Sequence, residues 1–154
     1  MEYAIRPFRP SDAPTLSAVI RRTLYESNGK DYPAADLDYL AALYQPETLA
    51  ALAAQGRMYV AAAGEEPVGC GALVPHSEHP DWGYLQAVFL RPDCQGRGLG
   101  RAILSALESD SLFHSYPRVE VHSSITARGF YESIGYRHAT GVPVLEDGHY
   151  TMYK

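Results

Sequence analysis

Residues 90–104, LRPDCQGRGLGRAIL, place Gly96, Gly98 and Gly100 on alternate positions just before an apolar run at helical spacing. Glycine inside regular structure costs roughly 0.5–1 kcal/mol relative to alanine, so this cluster marks a place where the backbone must stay bare. The preceding WGYLQAVFL (82–90) reads as a strand, and Leu99, Ile103 and Leu107 step at i, i+4, i+8 as one face of a helix. A strand running through a glycine turn into a helix leaves several N–H groups aimed outward at the helix N-terminus, which is an anion site. Arg97 and Arg101 add full positive charges at its rim. A tight turn with no ligand is the plainer alternative. The Walker A pattern GxxxxGK[ST] is absent, and glycines at 96, 98 and 100 do not match the spacing of GxGxxG.

Elsewhere a short strand (2–6) ends at Pro7, and Ser11 or Asp12 is placed to cap a helix carrying Leu16, Val19, Ile20 and Leu24. ESNGKDYP (26–33) breaks that pattern, and two shorter helices are expected at about 34–44 and 47–55. MYVAAA (58–63) and VGCGALV (68–74) read as a hairpin, and VEVH (119–122) as a strand. A last helix is expected from Ile125 to Ile134, with Ser123 or Ser124 as N-cap and Gly135 as stop, then closing strands at about 136–140 and 149–153. The order implies an α/β protein, with helices flanking one mixed sheet.

A chain of 154 residues fits one domain, 1–154. Thirteen basic against 18 acidic residues give a net charge of −5 with the basic residues scattered. That leaves no electrostatic footprint for nucleic acid or an anionic membrane, and it suits a cationic partner. No window approaches a membrane span, and MEYAIRPFRP lacks a signal-peptide core, so a cytoplasmic protein with Cys70 and Cys94 as free thiols is expected. Oligomeric state, monomer or homodimer, is not legible.

QGRGLG (95–100) resembles the Q/RxxGxG/A pyrophosphate loop of the GNAT superfamily of N-acetyltransferases. LQAVFLRPDCQGRGLG is similar to that superfamily's fourth strand and loop, RGFYESIGYRH (128–138) to its FYekLGF helix end, and the element order agrees over nearly the whole chain. The resemblance implies a GNAT-type fold, a mostly antiparallel sheet of six to seven strands flanked by helices. It also implies acetyl-coenzyme A as donor. The pyrophosphate would lie on Gln95, Gly96, Arg97, Gly98, Leu99, Gly100 and Arg101, and the pantetheine would pair along Val88, Phe89 and Leu90. An N–H near Val88 or Phe89 would hold the thioester oxygen. Tyr131 falls at the family's general acid, its bland alternative being a packed aromatic. Helical spacing puts Phe130 and Ile134 on the face better suited to the core. Ser124 stands where many relatives carry asparagine, and it serves equally as an N-cap.

Acyl transfer to an amine also needs a base, because an alkyl ammonium of pKa near 10.4 is mostly protonated at neutral pH. Some relatives use a glutamate in the fourth strand, but Tyr84, Leu85 and Gln86 offer none; Glu120 and His122, alternating on the fifth strand, are the candidates. His76, His79 and Asp81 invite a metal reading, yet no second ligand cluster accompanies them, and none is expected. The acceptor would be a primary amine (small molecule, peptide or protein lysine). The acidic, aromatic segments 26–39 and 146–150, Asp31, Tyr32 and Asp36 among them, would favour a cation. Two other classes fit the same sequence: a non-catalytic acetyl-coenzyme A sensor, and a partner-binding domain with no coenzyme affinity.

Overall fold

The computed structural model describes residues 2–154. In chain order it comprises β1 (Tyr3–Pro7), α1 (Ala13–Thr23), α2 (Ala34–Leu43), α3 (Pro46–Gln55), β2 (Arg57–Ala63), β3 (Glu66–Pro75) and β4 (Gly83–Leu90). Then follow α4 (Leu99–Ser109), α5 (Ser111–Ser115), β5 (Val119–Ser124), α6 (Arg128–Ser133), β6 (Arg137–His138), β7 (Leu145–Glu146) and β8 (His149–Tyr153). The strands form one sheet in the order β1-β2-β3-β4-β5-β8-β6, with β7 also on β8. Every pairing is antiparallel except β4 with β5.

Helices cover both faces, which is why VGCGALV is apolar without alternation. Leu16 and Ile20 of α1, Leu37 of α2 and Leu49 of α3 pack on Met58, Val60, Cys70 and Ala72. On the other face Ile103, Leu104 and Leu107 of α4 pack on Leu73, Leu85, Val121 and Met152. Each such fully buried aliphatic side chain contributes about 1.5–3 kcal/mol. A Cβ at Gly71 would come within 2.9 Å of Ile103 and 3.1 Å of Leu107, so this position in β3 stays bare to let α4 seat against the sheet.

Several expectations shift. The sheet has eight strands rather than six or seven, because two two-residue strands both use β8 as template. α6 starts at Arg128, not Ile125; Ile125–Ala127 form a turn whose Ala127 N–H donates to the Ser124 hydroxyl, 3.0 Å. Asp12 does not cap α1: its carboxylate accepts from the Arg6 guanidinium at 2.8 and 2.9 Å and the Arg9 N–H at 2.8 Å, which outcompete a helix N–H. The first helix runs on through one widened turn, Leu24–Asn28, before the polar loop begins. Both cysteines are free and buried, and burial pushes the Cys70 thiol up to about 12.

Candidate active site

β4 and β5 pair only from Gly83–Leu85 to Val119–Val121. Beyond that they part: β5 continues on β8 through His122, Ser123 and Ser124, while β4 stays with β3 across a bulge where Gly71 faces two residues. Ala87 holds the bulge at φ 56°, a left-handed conformation that costs a non-glycine residue about 1–2 kcal/mol. Such strain at a splayed strand is a pointer to a site. The Phe89 N–H faces Cys70, and the Arg91 N–H donates to the Val68 carbonyl at 2.7 Å, so alternation turns the amides of Val88 and Leu90 to the open side. The Leu90 carbonyl is already engaged there, accepting from Gln95 Nε2 at 2.9 Å and the Thr23 hydroxyl at 3.2 Å. The N–H groups of Val88 and Leu90 are therefore the donors that β4 turns toward the split.

Below it lies the glycine turn. Gly96 and Gly98 have φ of 77° and 81°, and a Cβ at either would meet nothing within 4 Å. The bare backbone thus faces open space rather than packed neighbours. The first intrahelical bond of α4 runs from the Ala102 N–H to the Gly98 carbonyl at 3.0 Å, so the amides of Leu99, Gly100 and Arg101 project from the helix end. Gly100 instead makes room for a neighbour, since a Cβ there would crowd the Phe130 ring at 3.3 Å.

Split and turn belong to one cleft of about 820 Å³, within the ordinary range for small-ligand sites. It is lined by Val88, Phe89, Leu90, Gln95, Gly96, Gly98, Leu99, Gly100, Arg101, Ser124 and Tyr131. Arg97 is not in its wall. Tyr131 is buried, 4% exposed, with no protein hydrogen bond to its hydroxyl among the described residues. Burial, reinforced by the Tyr84 and Tyr44 phenols, pushes its pKa well above the ordinary value and keeps it protonated. Phe130, expected to be the better core residue, is only partly buried and lines the cleft, while Tyr131 is the buried one of the two.

His122 lines the same cleft with its side chain 38% exposed, its ring stacked on His149 at 4.1 Å and 10°. Its Nε2 lies 3.0 Å from Glu120 Oε2, and Glu120 itself is buried behind it, outside the cleft. Burial, then the neighbouring His149, lowers the His122 pKa against the opposing pull of Glu120. The imidazole is therefore neutral near neutral pH, and a ring donating through Nε2 to a carboxylate leaves Nδ1 as acceptor.

The wall opposite is aromatic and acidic. Tyr32, Asp36, Tyr39 and Tyr44 come from the 26–44 region, Asp147 from the turn joining β7 to β8, and His149 from the start of β8. The Tyr32 hydroxyl donates to the Gly148 carbonyl at 2.6 Å and accepts from the Ile125 N–H at 2.8 Å. Asp31 lies out of the cleft wall; its carboxylate accepts from the Thr126 hydroxyl at 2.6 Å. It fastens the loop across the split instead of facing an acceptor. Tyr44, Tyr84 and His149 are cleft residues that the sequence did not single out. Tyr84 carried a signal, since alternation along β4 puts it on the face of Gln86, whereas Tyr44 and His149 reach the cleft only through tertiary packing. Among the described residues no group of three or more His, Cys, Asp or Glu side chains is placed to hold a metal ion, and His79 stacks on Trp82 at 3.9 Å. Among the described residues no helix is long and apolar enough to cross a membrane.

A family model described as an acetyltransferase (GNAT) domain matches residues 30–152. The uncharacterized N-acetyltransferase YafP of Escherichia coli strain K12 is 26% identical over 133 residues, 86% of this chain and 80% of that one. An uncharacterized acetyltransferase of Streptococcus pyogenes serotype M1 is 30% identical over 86 residues; the match spans 56% of this chain and 58% of the streptococcal protein. Among solved structures, the paia N-acetyltransferase of Thermoplasma acidophilum in complex with coenzyme A superposes with a TM-score of 0.84 at 16% identity, covering 100% of this chain and 99% of that one. A GCN5-related N-acetyltransferase from Rhodopseudomonas palustris follows at 0.79 and 24% identity, covering 100% and 96%. At these identities the two structures speak for the fold.

Proposed function

Because the chain belongs to the GNAT acetyltransferase family, we propose that it transfers an acetyl group from acetyl-coenzyme A to a cationic primary amine, with His122 as the base. The observation that carries this reading is the polarity of one continuous cleft. Its α4 wall offers bare amides, a helix N-terminus and Arg101, while its opposite wall offers Asp36, Asp147 and tyrosine faces, with His122 also in its lining. The first wall suits a pyrophosphate and the second an ammonium ion.

Acetyl-coenzyme A supplies the thioester. The open edge of β4 accommodates an extended amide-bearing arm, and the Val88 N–H is a donor available for a carbonyl oxygen that gains negative charge. His122 Nδ1 takes a proton from the ammonium. The freed amine attacks the thioester carbon, a C–N bond forms as the C–S bond breaks, and Tyr131 donates a hydrogen bond to the departing sulfur. The product amide nitrogen has lost two protons; one ends on the thiol, and the other leaves through His122 to solvent.

A screen of amines followed by release of free thiol tests this directly. Cationic amines are expected to turn over best, with KM rising as salt is added, since charges screen over about 10 Å at 0.1 M. Asp36→Asn is expected to raise KM several-fold for cationic amines and to leave neutral ones unchanged. Coenzyme binding without any turnover points to a sensor, and no coenzyme binding to a partner-binding domain; a neutral best acceptor overturns the cation assignment. In the pH profile of kcat/KM, His122 must be neutral to act. Burial and His149 lower its pKa and Glu120 opposes them, so the ascending limb is expected below about 6.5, the ordinary imidazole value. A limb well above that value excludes His122.

A further inference from the structure

We infer that His76, in the loop after β3, is a positioning residue for the His122 base, acting through Glu120. This rests on the function proposed above and extends it to a residue that does not line the cleft. His76 Nε2 lies 2.7 Å from Glu120 Oε2, the same oxygen that faces His122 Nε2 at 3.0 Å. The direction of the first contact is set by the other ring nitrogen. His76 Nδ1 is 3.0 Å from the Glu78 N–H and 3.2 Å from the His79 N–H, both of which donate to it. A nitrogen that accepts two N–H bonds carries no proton, so the neutral ring carries its proton on Nε2 and donates to Glu120.

The ring cannot readily turn away. The His76 N–H donates to the Trp82 carbonyl at 3.0 Å, closing the loop on itself, and the imidazole is boxed by Trp82 at 5.7 Å and Tyr84 at 5.6 Å. Side chains of His76 and Glu120 are each 8% exposed, so neither is a solvated surface contact. One carboxylate oxygen thus receives two N–H groups, one from His122 on its own strand and one from His76 on the loop after β3, and the His76 bond decides where that oxygen stands when His122 leans on it.

A second pocket of about 300 Å³ adds a reason for the arrangement. His76, Glu78, Glu120 and His122 all line it, and His122 and Tyr84 line both it and the main cleft. The proton that the net reaction must release therefore has a polar exit from His122 that does not pass the coenzyme. The groups facing His122 are Glu120 on its own strand, Tyr84 on β4, His149 on β8 and His76 on the loop; Tyr153 on β8 also reaches Glu120.

The test compares His76→Ala with His76→Gln, whose side-chain amide retains an N–H near the Nε2 position. Loss of the donor removes one of the groups that share the Glu120 carboxylate and leaves more of its charge to His122, which favours the imidazolium. In His76→Ala the ascending limb of kcat/KM is expected to move to higher pH and the plateau to fall on the order of 10- to 100-fold, with coenzyme affinity and KM for the amine little changed. His76→Gln is expected to restore most of both. Imidazole 15N–1H spectra of the free protein give a readout independent of turnover. His76 is expected as the Nε2–H tautomer, and the His122 titration is expected to move up in His76→Ala. A His76 protonated on Nδ1, an unmoved limb, or identical behaviour of the two variants overturns the positioning role while leaving the acetyltransferase reading intact. A parent enzyme that acetylates no amine overturns both.

Discussion

Acetyl-coenzyme A is expected to bind Gly98→Val at least about 10- to 30-fold more weakly than it binds the parent. Gly98 sits at φ 81°, where a side-chain-bearing residue pays about 1–2 kcal/mol and a β-branched one more. The free variant relaxes the turn out of that conformation, and binding must restore it, at tenfold in affinity per 1.4 kcal/mol. The added side chain would meet no protein atom within 4 Å of its Cβ, so the loss falls on the ligand's space and on the turn, not on the core. Stability is therefore expected to change little by comparison. Arg97→Ala, removing an exposed charge outside the cleft wall, should weaken binding only a few-fold at physiological salt. Titration calorimetry with thermal unfolding separates these outcomes, and equal affinity for Gly98→Val and the parent removes the turn from the donor site.

Tyr131→Phe is expected to lower kcat by on the order of 10²-fold or more while coenzyme affinity stays near that of the parent. The substitution should be well tolerated by the fold, because the ring remains buried and the hydroxyl has no protein hydrogen-bond partner to abandon among the described residues. The raised pKa has a definite consequence for mechanism. The phenol holds its proton throughout the working range, so a Tyr131 ionisation should not appear as a descending limb near pH 10. Its contribution is a hydrogen bond that strengthens as charge builds on sulfur. Single-turnover kinetics, where chemistry is isolated from product release, is the measurement; an unchanged rate returns Tyr131 to packing.

The two variants probe residues of different legibility. Gly96 and Gly98 were readable because a left-handed turn at a helix N-terminus selects glycine by local sterics, and local sterics act on the sequence itself. Tyr131 was readable only through the family likeness of RGFYESIGYRH; spacing alone favoured Phe130 for the core, whereas the packing of α6 on the sheet buries Tyr131 and leaves Phe130 partly exposed. Glu120 and His122 could be nominated from strand alternation. Their pairing at 3.0 Å, and the burial of one behind the other, could not.

The sequence by itself determined most of the element order, the amphipathic faces of α1 and α4, the bare glycine turn and the family. All of these follow from periodicity, steric demand and motif spacing within a few tens of residues. Tertiary structure decided the rest. Ala87 is forced to φ 56° by the register of β4 against β3, with no glycine to announce it. Asp31 is drawn out of the cleft wall by Thr126, 95 positions away, and Tyr32 is held by Gly148, 116 positions away. His76 receives its direction from two loop amides and its meaning from a carboxylate on β5. Contacts between residues this far apart depend on how whole strands and loops come to rest against one another, a sum of many packing terms that no short stretch of sequence contains.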